Sequence, residues 1–462
     1  MPKYPSVLCG VAALVVLVAS SAFGQGAAVA RFGAPCSPGQ FGYEMALMVC
    51  SDARTFRYAV HEDIPPTPEG GYTVKPSWYP PLSLLLSQSN QSCPLTGRVT
   101  FTSPVINPDD LISTIPQGMM IGDHVTPIDH GYLGVRTLAT PQAQRTDADW
   151  LPVYAPADGT ITEVSLLGSP TSIRVVIAHG CETYSIYMVL NRVAGALASL
   201  HDELMSRQYL RTSIQVRAGE LFGEQRDNPL DFSVHDGAAW LSGYVAPFSY
   251  TSAEGWKPFT VDPWPYFAPD LAAAYEAKMQ RVTAPRWGRI DVDVAGTAAG
   301  NWFLSGTLGF SGRSLDEFRN ATSTIEGGGF VPGKNFYAWS HLSLAPHWVQ
   351  PAFWIFSTGW YANPAGDPKQ QALVLRAGVP APSDLTPASG TVVYALADWM
   401  SAGQTEGMAP LPVGYAVSYG QSVGLVALRV NEDGTLNVEV FPTLTDPAQF
   451  TGFTPEVRTY RR

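Results

Sequence analysis

The sequence has few charged residues and no cluster of basic ones. Charged residues make up 15% of the 462 positions, and the formal net charge at pH 7 is -11. Binding to nucleic acid, or to anionic wall polymers through bulk electrostatics, needs clustered Lys and Arg side chains that neutralise phosphates. The composition therefore excludes nucleic acid as a partner.

Long apolar runs are also missing, apart from one near the N-terminus. Lys3 gives a positive start, Val7 to Ala19 form an apolar core, and small residues follow at Ala22 to Gly24 or at Ala28 to Ala30. Residues 1–30 thus have the pattern of an export signal. A membrane anchor is the alternative, but the run is shorter than the ~20 residues that span a bilayer. We expect a secreted or periplasmic protein with no membrane span in its mature form.

Cysteine is scarce, and no two cysteines have the spacing Cys-x-x-Cys, which argues against a zinc cluster. Four cysteines remain after the leader, and an even number in an exported chain suggests two disulfides. The disulfide candidates are Cys36, Cys50, Cys93 and Cys181. Three pairings are open. Proximity favours Cys36 with Cys50, which leaves Cys93 to join the N-terminal segment to Cys181.

The chain is long enough for two or three domains with buried cores. Residues 31–116 are Pro-rich and irregular, which predicts an extension that wraps the next domain. We predict a β domain over residues 117–268, a helical connector over 269–286 and a separate all-β domain, sandwich or barrel, over 287–462. The expected fold class is mainly β with few helices.

The central domain is organised around Leu151 to Val164, where Asp158-Gly159 follows Pro156 between two short apolar runs. Asp-Gly between alternating apolar residues predicts a hairpin. The segments that follow in order are Ile173 to Gly180, Tyr184 to Tyr187, Ile214 to Gly223 and Leu230 to Val234. This order resembles the lysostaphin-type zinc endopeptidase domain, a β-rich duplicated hybrid motif. The resemblance covers roughly residues 121–245.

The resemblance implies five functional positions, most of which have changed. In the family, a His-x-Gly-x-Asp segment supplies two zinc ligands. A Tyr-x-His-Leu segment supplies a catalytic His, and His-x-His-Phe supplies another catalytic His and the third ligand. The matching positions here hold His130 in place of the first ligand, Gly134 for the ligating Asp, Val189 and Pro229 for the catalytic histidines, and Asp231 for the third ligand.

These replacements predict a site without catalysis. Catalytic zinc needs three protein ligands, an open position for water and a nearby base. His130 and Asp231 provide two ligands, with His124 as the candidate for a third. Loss of general acid-base help alone typically costs ~10²–10⁴ in rate. We expect no catalytic residue and no cofactor, with zinc on His130, Asp231 and His124 as the alternative, and a hydrogen-bonded groove histidine as the preferred interpretation of His130.

The candidate groove residues are His124, Asp129, His130, Tyr187 and Asp231. We hypothesise an exported, non-catalytic, groove-bearing binding protein whose partner is an envelope polymer (peptidoglycan or another glycan) or an extracellular protein. A divergent zinc metallopeptidase that cleaves cell-wall peptides is one alternative. A structural component of an extracellular layer is the other.

Two further patterns lie outside the motif segments. In the insertion 191–207, Val193, Leu197, Leu200 and Leu204 recur at helical spacing, which predicts a helix that lines one end of the groove or only packs. In the last domain, aromatic residues are dense. Phe353, Ile355 and their alternate neighbours are predicted to build a barrel core, and an exposed aromatic row that stacks on sugar rings is the alternative.

Overall fold

The computed structural model describes residues 28–43, 46–68, 71–87, 98–122, 124–180, 182–319, 339–362, 368–376, 378–401 and 411–462. The chain is mainly β with few helices, as predicted. The predicted export signal lies outside the described residues except for positions 28–30, and Cys93 and Cys181 also lie outside them. In the described part of the chain, no helix has the length and apolar character that a membrane crossing requires.

The N-terminal segment forms a small sheet that lies against the central domain. Its elements are β1 (Ala28–Val29), β2 (Phe41–Tyr43), β3 (Leu47–Cys50), β4 (Phe56–Tyr58) and the helix α1 (Leu82–Ser87). The strands are adjacent in chain order. Cys36 and Cys50 form a disulfide, which confirms that predicted pair. Tyr79 and Leu82 share an apolar cluster with residues of the central sheet, so this segment covers one face of that sheet.

The central domain contains two antiparallel sheets. Its elements are β5 (Leu111–Ile115), β6 (Gly131–Val135), β7 (Leu151–Tyr154), β8 (Gly159–Ser169), β9 (Ser172–Ala178), β10 (Thr183–Leu190), β11 (Arg192–Val193), α2 (His201–Arg207), β12 (Tyr209–Val216), β13 (Leu221–Gln225), β14 (Leu230–Asp236), β15 (Thr260–Val261) and α3 (Pro269–Glu276). The large sheet has the order β12-β8-β9-β10-β14-β6-β5, with β15 also paired to β14, and the small sheet has the order β11-β13-β7.

The predicted hairpin at Asp158-Gly159 is wrong. Strand β7 ends before this dipeptide and β8 begins at Gly159, but β7 pairs with β13 whereas β8 pairs with β12 and β9. The reason lies in long-range backbone hydrogen bonds: the Ala155 amide donates to the Glu220 carbonyl at 2.9 Å. The Asp158 carboxylate accepts from the Ala218 amide at 2.9 Å. Tertiary pairing thus overrides the local turn preference and sends the two strands into different sheets.

The insertion is helical only in its second part. Residues 192–193 form β11, a short 3-10 helix covers Gly195–Leu200, and α2 follows. The regular helix is therefore shorter than predicted, because Arg192 and Val193 pair with β13. The periodic apolar residues Val193, Leu197 and Leu204 are buried in the central core. The apolar pattern was therefore informative about burial.

The connector helix α3 is docked on the central domain. The Tyr275 hydroxyl donates to the Ile106 carbonyl at 2.8 Å and accepts from the Val105 amide at 2.9 Å. Tyr275 and Met279 both belong to the central apolar core. This helix therefore completes the core of the central domain before the chain reaches the last domain.

The last domain is a closed eight-stranded barrel, which resolves the choice between sandwich and barrel. Its strands are β16 (Gly300–Leu304), β17 (His341–Pro346), β18 (Trp354–Ala362), β19 (Pro368–Leu375), β20 (Val392–Ser401), β21 (Val417–Val430), β22 (Leu436–Phe441) and β23 (Arg458–Arg461), and the helix α4 (Leu315–Arg319) lies between the first two. Each strand pairs with the next along the chain, and β16 pairs with β23 to close the ring. Trp302, Phe356 and Tyr394 lie in its apolar core.

The predicted orientation of β18 is wrong. Phe356 lies in the barrel core with Trp354 packed against it. Ile355 instead belongs to a cluster with Ile128 and Tyr132 of the central domain, and Phe353 packs against that cluster. The barrel is therefore apolar on its outer surface as well, where it contacts the central domain. A continuous apolar run does not reveal which parity faces the barrel interior.

Candidate functional site

Strand β14 carries the site because its two faces differ. Asp231, Ser233 and His235 alternate with apolar residues, so they share one face of the sheet. Residues of the opposite parity, Phe232 and Val234, lie in the central apolar core. The polar face is the one that the N-terminal segment covers, and we call this segment, β1 to β4 with α1, the N-terminal layer.

His130 and Asp231 meet across neighbouring strands. Asp231 is directly opposite Tyr132 in the β14–β6 pairing, and His130 immediately precedes β6. The His130 Nε2 atom lies 3.4 Å from the Asp231 carboxylate. On the other side of the ring, His130 Nδ1 lies 3.2 Å from the Asp129 carboxylate. The imidazole is thus held between two carboxylates.

The Tyr132 side chain connects the two histidines. Its hydroxyl lies 3.3 Å from His130 Nε2 and 3.3 Å from His124 Nε2. A strand of the barrel holds the segment before β6, because the Gln371 amide donates to the Gly122 carbonyl at 3.1 Å and to the His124 carbonyl at 3.3 Å. Four of the candidate residues, His124, Asp129, His130 and Asp231, therefore come together.

Tyr187, the fifth candidate, lies elsewhere. Its ring is buried in the apolar core on the opposite side of the large sheet, with centroid distances of 5.0 Å to Phe222 and 5.6 Å to Phe232. Its hydroxyl donates to the Ser185 hydroxyl at 2.9 Å. The position of Tyr187 is that of a core residue, and it does not contact the polar cluster.

A loop before β15 contributes three residues that the sequence did not single out. The Lys257 ammonium lies 3.0 Å from the Glu254 carboxylate and 3.9 Å from the Asp129 carboxylate. The Trp256 indole donates to Asp129 at 2.8 Å. No motif or periodicity marks these positions, because their proximity to Asp129 arises only from the tertiary fold. We call Asp129, His130, Asp231, Glu254 and Lys257 the ion cluster.

Four of the five residues of the ion cluster are buried. The exposed fraction is 6% for Asp129, 5% for His130, 4% for Asp231 and 3% for Lys257. The N-terminal layer contributes to this cover, since Tyr79 donates to the Gly255 carbonyl at 2.8 Å. The Glu254 side chain is 17% exposed, so a ligand in solution can reach the cluster only at Glu254 in this conformation.

Opposite charges keep both Asp129 and His130 ionised. Burial would raise the pKa of Asp129, but the Lys257 ammonium and the hydrogen bond with His130 hold it well below its usual range. Burial would lower the pKa of His130, but Asp231 and Asp129 outweigh it and raise that pKa. A buried imidazolium flanked by two carboxylates results.

The pKa values of the outer groups, Asp231 and His124, are shifted in the opposite sense to those of Asp129 and His130. Burial raises the pKa of Asp231 to about 6, although His130 lowers it. The pKa of His124 is lowered to about 3, mainly by burial and to a smaller extent by repulsion from His130 and Lys257. His124 is therefore neutral near pH 7, so its Nε2 atom can accept a hydrogen bond from the Tyr132 hydroxyl, 3.3 Å away.

The residues present do not fit a catalytic zinc ion. Among the described residues, no group of three or more His, Cys, Asp or Glu side chains is arranged to hold a metal. Gly134 and Pro229 cannot act as side-chain ligands, and the Lys257 ammonium adds positive charge next to Asp129. One atom remains unexplained: Asp231 Oδ1 is buried without a hydrogen-bond partner.

An open cleft lies away from the ion cluster, beside the edge strand β12. It has a volume of about 460 Å³ and is lined by residues of the insertion and of β12. Tyr209, which is 41% exposed, lies at this cleft. The insertion therefore both packs on the core and lines a surface cleft.

No protein-family model matches the sequence, and no curated protein matches it. Among solved structures, the chain is similar to the NMR solution structure of lysostaphin, with 11% sequence identity and a TM-score of 0.21. The similarity covers 73% of this chain and 89% of that chain. A likeness this weak does not assign the chain to a family.

Proposed function

We propose that the protein is an exported, non-catalytic binding protein whose central domain is a degenerate lysostaphin-type scaffold. The observation that carries this proposal is the buried ion cluster. His130 and Asp231 occupy the positions of two family zinc ligands, yet the imidazole is bridged by Asp129 and Asp231 and covered by Trp256 and the N-terminal layer. The expected partner is an envelope polymer or an extracellular protein.

The chemistry of the cluster supports a non-catalytic role. A general base must reach the proton that it abstracts and be unprotonated at the working pH. His130 is buried and has a raised pKa, and both of its ring nitrogens already have partners. Val189 and Pro229 replace the two family histidines that move protons, so the cluster contains no accessible acid-base pair.

The test measures metal content and cleavage by the purified protein. We expect no stoichiometric zinc and no cleavage of cross-linked peptidoglycan or of glycine-rich peptides. The double variant Val189→His with Pro229→His returns the two proton-transfer groups and serves as the positive comparison for the scaffold. Cleavage by the wild type that His130→Ala abolishes would contradict the proposal.

Export and binding are tested on the native secreted material. Ala28 and Val29 pair with Gly42 and Tyr43 of β2, so signal cleavage near Ala22 to Gly24 would retain β1 whereas cleavage after Ala30 would remove it. The mature N-terminus is therefore expected before residue 28. Capture of an envelope polymer by the purified protein supports binding. Incorporation into an extracellular layer without such capture would favour a structural component.

A further inference from the structure

Lys257 lies in a cage of oxygen atoms. Its ammonium nitrogen is 3.0 Å from the Glu254 carboxylate and 3.9 Å from the Asp129 carboxylate. It also donates to the Pro127 carbonyl at 3.3 Å. The fourth side is the Phe310 ring, whose centroid is 5.1 Å from the nitrogen. Two carboxylates and a carbonyl are the kind of oxygen ligands that divalent cations such as Ca²⁺, Mg²⁺ and Mn²⁺ take.

The ammonium group stays charged in this cage. Burial would lower the pKa of Lys257, but Glu254 and Asp129 outweigh it and raise that pKa. The side chain is only 3% exposed. A fully charged lysine at this depth requires neighbouring carboxylates, because isolated buried charges are strongly unfavourable.

The cage joins three parts of the molecule. Pro127 and Asp129 precede β6, Glu254 and Lys257 lie in the loop before β15, and Phe310 precedes the second strand of the barrel. Phe310 also packs on His341 of β17, with ring centroids 4.9 Å apart. A cation at this point therefore holds the loop over His130 and links it to the barrel.

We infer, on the basis of the proposed non-catalytic function, that Lys257 is a built-in cation that closes the site and stands in the place of a divalent metal ion in this oxygen cage. Removing the ammonium while leaving its space empty should expose the cage to a divalent cation. Replacing the ammonium with an uncharged group of similar volume should leave the cage closed to a divalent cation.

The matched pair Lys257→Ala and Lys257→Met separates charge from volume. Thermal unfolding of the full chain is measured with and without Mn²⁺ as the probe, and with EDTA as the reference. Both variants are expected to have a lower Tm than the wild type. Mn²⁺ should raise the Tm of Lys257→Ala by about 4 °C or more, and it should leave Lys257→Met, the wild type and the control Lys75→Met unchanged. Lys75 is a suitable control because its ammonium donates to the carbonyls of Pro76 and Tyr79 rather than to the cage oxygens.

A Tm of Lys257→Ala that does not respond to Mn²⁺ overturns the inference but leaves the proposed function intact. A wild-type Tm that rises with Mn²⁺ or zinc, together with stoichiometric metal in the purified protein, overturns the proposed function. If Lys257→Ala does not fold, the double variant Lys257→Met with Glu254→Gln replaces it. Loss of the unpaired carboxylate should then recover part of the Tm lost in Lys257→Met, and strictly additive losses would refute the cation role.

Discussion

The two faces of β14 are both buried, yet they are built in opposite ways. On one face, Phe232 and Val234 pack in the central core and need only volume and shape. On the other face, Asp231 faces His130, and Ser233 bonds His235, whose other ring nitrogen lies 3.3 Å from the Thr260 hydroxyl. Each polar group there needs a partner at a defined distance, because an unpaired buried polar group costs about 1–3 kcal/mol.

The comparison separates the apolar face of β14, which holds the sheet in the domain, from the polar face, which has another cause. An apolar face is sufficient to hold a sheet in a domain, and a buried ion pair is often no more stabilising than apolar residues of the same volume. The polar face of β14 is thus not explained by stability alone. Under the proposed function, Asp231 on this face and His130 beside β6 are what is left of a zinc site.

The largest expected effect is on the apolar face. Phe232→Ala leaves a cavity in the core among rings such as Tyr187 and Trp264, and should lower the free energy of unfolding by about 3–5 kcal/mol. Chemical denaturation at neutral pH measures it. The control is Ser233→Ala on the other face, where only one short hydrogen-bonding group is lost. Equal losses at the two positions would contradict the difference between the faces.

A smaller effect is expected from pH on the polar face. The folded pKa of His130 is raised, so its contribution is present at low pH and is lost as pH rises through that folded pKa. The folded pKa of Asp231 is raised to about 6, so the penalty for ionising it in the fold builds up as pH rises from its unfolded pKa to pH 6 and stays constant above that. Both effects favour mildly acidic pH.

Buried histidines with lowered pKa values, such as His179, His235 and His341, act in the opposite sense, so the test compares the wild type with a variant. We expect the Tm advantage of the wild type over His130→Gln to shrink as pH rises from 6 to 8. The loss at more acidic pH comes from carboxylates with depressed pKa values such as Asp129. The exchange itself should cost about 2–4 kcal/mol near pH 6, because it leaves two buried carboxylates without the imidazolium. A Tm difference between the wild type and His130→Gln that does not change from pH 6 to pH 8 would refute the ionised His130.

The smallest effect concerns Val189, which has a positive φ of 58°. A β-branched residue in this region is strained, and the β10–β9 register is irregular between Tyr187 and Leu190. Val189→Asn is expected to raise the free energy of unfolding by about 0.5–1 kcal/mol, since Asn tolerates this conformation. The same exchange at Met188, which has no positive φ, should destabilise. A loss at both positions would show that packing of Val189 outweighs the strain.

Composition and periodicity predicted the mainly β class, the Cys36–Cys50 disulfide and the burial of Leu197 and Leu204. They failed where long-range contacts decide. The Asp158-Gly159 hairpin did not form because backbone groups there bond distant strands, and Ile355 faces the central domain because a continuous apolar run conceals its parity.

The candidate site was predictable where its residues lie on strands that the sequence marks, and it was not predictable where only long-range contacts bring residues together. His124, His130 and Asp231 stand on or beside strands that the motif order marked, so their convergence followed from the expected pairing. Lys257 and Glu254 belong to a loop without a motif, and nothing local indicates that they reach Asp129. Tyr187 was misplaced relative to the cluster because period-two alternation puts it opposite Phe232, on the core side of the sheet.

The pairing of β16 with β23 closes the barrel with strands from the two ends of that domain, through Phe303 opposite Arg461 and Leu304 opposite Tyr460. During synthesis, the first barrel strand must therefore wait for the last one. Contacts between residues so far apart in sequence form slowly. The central core extends to Trp287, just beyond α3, so it can be complete before any barrel strand has emerged. The outer surface of an unfinished barrel would then be assembled against an already folded neighbour. Because the central domain emerges first, its folded surface can act as a template. Ile355 and its cluster then pack against this surface before the barrel closes.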